Sequence, residues 1–261
     1  MRLLFVGDVV GKPGRRALME LLPRLIDEHR VDYTVVNIEN AAGGFGVNAD
    51  ILEQFEELPI DCYTTGNPVW DKKEVLPLLD QRPELLRPAN YPDGNPGHGL
   101  HVGSTAAGIR VATLNLEGQV FMKALRSPFE VADALLDELE DDVKVVLVDF
   151  HAEATSEKQA MAVHLDGRAS AVLGTHTHVP TADARVLPGG TALVTDGGMT
   201  GPYESIIGFR AEKVLRRFYL QTNAPFEVAK RDVRLAAALV DVDETTGRAE
   251  DVRGLLIPYE G

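Results

Sequence analysis

Behind the apolar run "AVLG" the chain reads "THTHVPTAD", which sets His176 and His178 two residues apart. On a strand or its extended exit, residues i and i+2 point the same way, so both imidazoles are expected to face one site. Two half-buried polar rings are one account of the pair. A metal site is the other, because neutral imidazole is the commonest nitrogen ligand for zinc, iron and manganese. The spacing alone does not decide between them. Its weight comes from other ligand types that stand directly behind apolar runs: Asp8 in "LLFVGDVVG", Glu39 and Asn40 in "VVNIENAAGG", Asn67 in "TTGNPVWD" and His151 in "VVLVDFHAE". Two carboxylates, two amide oxygens and three imidazoles exceed what one tetrahedral ion takes. They suit two ions of the iron or manganese type that share a carboxylate.

Such a set works only if the elements carrying it bring it together. Apolar, strand-like runs at Leu3 to Val6, Tyr33 to Ile38 and Cys62 to Thr65 alternate with helical patterns opening at Pro13 and after Asn48. This is the βαβα pattern of a sheet with helices on its face. Pro23 is expected to bend or divide the first helix. From Gly99, "GLHVGSTAAGIRVATLNLEG" reads as two strands around a turn, followed by a helix over Phe129 to Leu139 and a buried strand over Val143 to Val148. Strands near Ala171 to Leu173, Ala184 to Leu187 and Thr191 to Val194 precede a terminal hairpin whose turn is Thr245 to Gly247. Alternating elements plus hairpins predict two packed sheets with helices outside. In open α/β sheets ligands gather at the carboxyl ends of strands, so the five strand-end stops should converge. Taken singly, Asp8 and Asn40 also suit turns, Asn67 an Asx-turn and His151 a polar helix start.

The chain has 261 residues, 44% of them hydrophobic, enough for one large core. One domain over 1–261 is expected, with a small cap at 199–229 around a helix from Glu212 to Leu220. A net charge of -14 argues against a sequence-blind grip on duplex nucleic acid, which needs a basic face, but a small phosphorylated ligand is accessible through a metal. Cys62, the single cysteine, reads as a buried structural thiol. The short apolar start meets Asp8 at once, and no run approaches a membrane span, so a cytoplasmic place is expected. A homo-oligomer is compatible with this reading.

The blocks "GDVVG", "NIENAAGG", "GNPVW", "DFHAEATSEK", "GTHTHVPTAD" and "TDGGMTGPYESIIG" resemble the ordered motifs of the calcineurin-like metallophosphoesterases, and the last three resemble the bacterial YmdB-like family within them. The resemblance covers nearly the whole chain. It implies a four-layer α/β/β/α sandwich with a dinuclear centre. Asp8, Glu39, Asn40 and His178 would hold the first metal, and Glu39, Asn67, His151 and His176 the second, with Glu39 bridging. Val10 stands where most of the superfamily has histidine, and Asn40 replaces it as a ligand. Pro68 stands where the family's "GNH" has a histidine that serves the leaving group, so the metals are kept while the acid half of the mechanism is altered. Pro68 should also favour an extended Asn67.

The resemblance implies a phosphodiesterase with iron or manganese ahead of zinc, attack by a metal-bridging hydroxide, and 2′,3′-cyclic nucleotides as the preferred small substrates. Rival readings are a phosphomonoesterase, including one acting on phosphoproteins, and a low-turnover cyclic-nucleotide-binding regulator that has lost its acid at position 68. His98 and His101, in "DGNPGHGLHV", are candidates to replace that acid. His29 and His164 sit in helical patterns away from strand ends and are expected to be dispensable.

Overall fold

The computed structural model describes residues 1–223 and 225–261. In chain order the elements are β1 (Arg2–Val6), α1 (Gly11–His29), β2 (Tyr33–Asn37), α2 (Ala49–Phe55), β3 (Cys62–Thr64), a 3-10 turn (Asn67–Asp71), α3 (Val75–Gln81), β4 (Leu100–Ser104), β5 (Arg110–Glu117) and α4 (Pro128–Asp137). There follow β6 (Val145–His151), α5 (Thr155–His164), β7 (Ala171–Thr175), β8 (Arg185–Val186), β9 (Ala192–Val194), β10 (Gly201–Pro202), α6 (Ala211–Leu220), β11 (Val233–Val242) and β12 (Ala249–Pro258).

The strands form two mixed sheets, as the alternating pattern predicts. In the first, β1, β2 and β3 run parallel, and β11 pairs antiparallel with β1, β12 and the short β10. In the second, β5, β6, β7 and β9 run parallel, with β4 and β8 antiparallel at the edges. Parallel strands covered on both faces must be apolar along their length, and β2, β6 and β7 are buried throughout.

Three apolar layers result. Leu3, Phe5, Val35 and Cys62 of the first sheet meet Val145, Leu147, Leu173 and Val194 of the second between the sheets. Leu18 and Leu22 of α1, with Ile51 and Phe55 of α2, cover the outer face of the first sheet. Val131 and Ala132 of α4, with Met161 and Ala162 of α5, cover the second. This is the four-layer α/β/β/α sandwich. Cys62 is buried in the central layer, and burial pushes its thiol well above the ordinary value, which makes it inert. No helix among the described residues is long and apolar enough to cross a membrane.

Local departures from the sequence reading have physical causes. α1 runs unbroken through Pro23 because that ring lies on the exposed side, while Leu18, Leu22 and Leu25 hold the opposite side in the core. The helix also opens at Gly11, two residues before Pro13. β6 begins at Val145, later than the apolar run suggests, and carries His151 as its last residue. Asn67 opens a 3-10 turn with Pro68 in its first two positions, so the extended Asn67 expected from the following proline is not what forms. A missing N–H is harmless at the start of a helical turn, which is where Pro68 falls.

Phe5 is fully buried in the layer joining the sheets. Phe5→Ala is expected to cost about 3–5 kcal/mol, read as a lower urea midpoint at unchanged m-value. A loss below about 1 kcal/mol would mean that the two sheets are not held by this layer.

Candidate metal centre

The parallel strands of both sheets end at one edge of the sandwich, and the residues just behind them meet there. Asp8 follows β1, Glu39 and Asn40 follow β2, Asn67 follows β3, His151 ends β6, and His176 and His178 follow β7. Asp8, Glu39, Asn40, His151 and His178 are buried, while Asn67 and His176 are partly exposed. The loops carrying them are tied by backbone bonds: Val9 N–H donates to Asn37 O, Gly11 N–H to Asn40 O, and Thr200 N–H to Asp8 O.

Ligand-type atoms gather into two groups that share one carboxylate: Glu39 with His151 and His176, and Asp8 with Glu39 and His178. The His-x-His pair divides between the groups, His176 with His151 and His178 with Asp8. β7 stops at Thr175, and His176 and His178 take positive φ of 98° and 65°. The left-handed turn sends His176 toward His151 and His178 toward Asn40.

The hydrogen-bond network fixes where the lone pairs lie. Thr175 Oγ1 donates to Asp149 Oδ1 at 2.7 Å and therefore accepts from His151 Nδ1–H at 3.0 Å, which leaves His151 Nε2 bare. That bare nitrogen faces Asn67 Oδ1 at 3.0 Å, His176 Nδ1 at 3.0 Å and Glu39 Oε2 at 3.1 Å. His176 turns its Nε2–H to Glu153 Oε2 at 3.0 Å, so its Nδ1 is bare as well. His178 donates Nδ1–H to Ile207 O at 2.9 Å, and its Nε2 meets Asn40 Oδ1 at 3.1 Å. Asn40 has already committed its amide N–H to Gly44 O. These contacts bring acceptor against acceptor. Among the described residues Asp8 Oδ1 and Glu39 Oε2, both buried, have no hydrogen-bond donor. Gly66 shows how little room there is, because a Cβ there would fall 2.0 Å from Glu39 Oε2 and 2.4 Å from His151 Nε2.

Electrostatics agree. Burial, then the charge of Asp196, pushes the Asp8 carboxyl up to about 8, and burial, then Asp8, pushes Glu39 well above the carboxylate range. Burial holds His151 well below the usual imidazole value and lowers His176 and His178. Neutral imidazoles beside carboxylates that lack a counter-charge form a donor set that fits divalent cations.

Several supporting residues escaped the sequence reading. Asp149 is buried and held by Asn37 and Thr175, and burial pushes it up to about 7. Lys158 and Asp196 form a buried ion pair at 2.7 Å, and Asp196 also accepts from the N–H and hydroxyl of Thr177, the residue between the two histidines. A lysine inside the helical pattern of "TSEKQAM" was the available signal, since a cation on a buried helix face needs a partner. His98 instead packs its Nε2 against Pro83 O at 2.9 Å, and neither His98 nor His101 belongs to the two ligand groups. His29 and His164 close α1 and α5, and His164 contacts Asp133 at 3.0 Å.

The family model of YmdB-like proteins matches residues 4–255. The chain belongs to the YmdB-like family. It is 46% identical over 259 residues to a 2′,3′-cyclic-nucleotide 2′-phosphodiesterase of Bacillus subtilis (strain 168), covering 98% of this chain and 97% of that protein. A crystal structure of a hypothetical protein from Thermus thermophilus superposes with a TM-score of 0.94 at 43% identity, covering 100% of each chain. One of a novel phosphatase from Mycoplasma pneumoniae gives 0.92 at 33% identity, covering 99% of this chain and 93% of that one. The expected family and fold are thus met.

Two measurements test this geometry. Carboxylates with raised folded values keep protons that the unfolded chain releases, so stability falls as pH climbs from about 4 toward the folded values near 7 and 8. The lowered imidazoles act oppositely, but only below about pH 6.5. Chelator-stripped protein should therefore lose thermal midpoint between about pH 6.5 and 8.5, and metal-loaded protein should lose less; equal slopes would contradict an uncompensated carboxylate pair. Separately, Lys158→Met leaves Asp196 buried without its counter-charge, an expected loss of about 3–5 kcal/mol in denaturant unfolding.

Proposed function

We propose that this chain is a metal-dependent phosphodiesterase acting on small phosphate diesters, 2′,3′-cyclic nucleotides first. In this reading Asp8, Glu39, Asn40 and His178 hold one ion, and Glu39, Asn67, His151 and His176 hold the other. The observation that carries it is the pair of ligand groups sharing Glu39, in which lone pairs turn toward one another and, among the described residues, Asp8 Oδ1 and Glu39 Oε2 have no donor. The name of the Bacillus subtilis relative supports the substrate class. The oxygen-rich donor set favours iron or manganese over zinc. When bound, such a pair of cations activates water at neutral pH and offsets charge on the phosphoryl group.

The chain's own residues do the rest. Glu39 gives one carboxylate to both positions. Thr175, Glu153 and the Ile207 carbonyl each take a ring N–H and so fix which nitrogen of His151, His176 and His178 faces inward. No side-chain nucleophile is required. Pro68 occupies the position from which a histidine would protonate the leaving oxygen, and ring strain in a cyclic phosphate lessens the need for that proton. The segment 199–229, of which Ala224 lies outside the described residues, serves in this reading as a small cap on a single domain spanning 1–261. Its support is the His178 bond to Ile207 O and the stacking of Phe209 on Phe45 at 5.5 Å. A cytoplasmic place is part of the reading, supported by the free, buried Cys62. Phosphomonoesterase action is the second reading, favoured by the phosphatase among the structural neighbours. Initial rates on 2′,3′-cyclic nucleotides against 3′- and 5′-nucleotides separate the two.

Elemental analysis should find up to two transition-metal ions per chain; a content near zero, with no activation by manganese, would sink the dinuclear reading. Glu39→Gln should cost more activity than replacing any terminal ligand, because its charge serves both ions. A positioned acid contributes about 10²- to 10⁴-fold, more for poorer leaving groups. Pro68→His should accordingly speed an unstrained dialkyl diester most, a cyclic nucleotide less and an aryl diester least. Equal acceleration of all three would refute a missing acid.

A further inference from the structure

A cavity of about 200 Å³ opens beside His178, walled by Val179, Pro180, Met199, Tyr203 and Ile207, with Ser205 at its edge. Ligand sites for whole drug-sized molecules run to about 300–1,000 Å³, so this one fits a single flat ring system with the remainder of its ligand outside. His178 is at once a wall of the cavity and a member of the ligand group with Asp8 and Glu39. The cavity and the metal centre are therefore neighbours that one small ligand can span.

The walls are apolar and their few polar atoms are already engaged. Tyr203 O–H donates to Met199 O at 2.9 Å, and Ser205 Oγ donates to Pro202 O and accepts from Gly208 N–H at 2.9 Å. Two apolar side chains at the cavity stand out into solvent, Val179 at 56% exposure and Ile207 at 48%. Ile207 is also strained. Ile206 and Phe209 exchange backbone bonds across a two-residue turn in which Ile207 and Gly208 have φ of 47° and 97°. Such turns take Asn, Asp or Gly at the first central position, whereas a β-branched residue at positive φ is an outlier. A side chain kept exposed and strained at the rim of a cavity beside a reaction centre indicates a ligand contact.

Resting on the phosphodiesterase reading above, we propose that this cavity is the nucleobase subsite, in which Val179 and Ile207 grip the two faces or edges of the base while the phosphate lies at the metal centre. Mainly apolar walls whose side-chain hydroxyls are already engaged read shape more than base edges. The subsite therefore raises affinity for nucleosides over simple diesters while accepting all four bases.

The test compares kcat/KM of the metal-loaded protein on the four 2′,3′-cyclic nucleotides and on methyl β-ribofuranoside 2,3-cyclic phosphate, which has a methoxy group in place of the base. The nucleotides are expected to exceed the base-less substrate by at least about tenfold and to lie within about tenfold of one another. Base–aromatic and apolar contacts are commonly worth that much. Ile207→Gly removes the side chain at a φ that glycine adopts freely, so the carbonyl that receives His178 Nδ1–H keeps its place. It should leave thermal stability equal or higher, yet cut the nucleotide-to-base-less ratio at least threefold; Val179→Ala should lower the same ratio. A wild-type ratio near one, a ratio unmoved in both variants, or a hundredfold preference for one base would overturn the subsite. Turnover of an aryl diester without turnover of either cyclic phosphate would instead overturn the substrate class, and this subsite with it.

Discussion

The structure depends on one electrostatic constraint: two carboxylates, Asp8 and Glu39, are buried side by side with no cation among the described residues paired to them at the ligand atoms that stay bare. Carboxylates removed from water normally carry a paired base or several N–H donors. Here Asp8 Oδ2 accepts the His176 backbone N–H at 3.2 Å, and the nearby side-chain donors are spent elsewhere. Asn40 gives its amide to Gly44 O, and the three imidazoles give their N–H groups to Thr175, Glu153 and Ile207. The remaining lone pairs all face inward. Such a cluster is unfavourable for the chain by itself and favourable around divalent cations, so its stability and its reactivity have the same origin.

The supporting shell explains how unfavourable local geometry persists. The turn through His176 and His178 needs two non-glycine residues at positive φ, and Asp196 clamps it by accepting both the N–H and the hydroxyl of Thr177. Lys158 neutralises Asp196 from α5, and Asp196 adds to the field that raises Asp8. Asp149 plays the matching part between the sheets, joining Asn37 of the first to Thr175 of the second. The sandwich thereby aligns the two strand edges through hydrogen bonds as well as through the apolar layer of Phe5 and Leu147.

The ligand types were legible because each stands directly behind a short apolar run, and a parallel sheet converts that position in sequence into convergence in space. Asp8, Glu39, Asn40, Asn67, His151, His176 and His178 all reach the same edge. The backbone at two of the stops was not legible. Asn67 was expected to be extended but opens a 3-10 turn, and the histidine pair was expected on a strand or its extended exit but takes a left-handed turn. Positive φ at histidine has no signature in a single sequence, because it is imposed by the Asp196 clamp from a separate, later segment of the chain.

Residue order alone determined the alternation of strands and helices, the apolar layers and the identity of the ligand atoms, since these follow from periodicity and from side-chain chemistry. Tertiary structure decided which nitrogen of each imidazole is bare, which histidine joins which carboxylate, and that Lys158 is a buried counter-ion and not a solvated one. It also decided that the exposed Ile207 borders a cavity beside His178. Those facts depend on hydrogen-bond partners from distant strands, and a linear sequence holds no record of which donor is already spent.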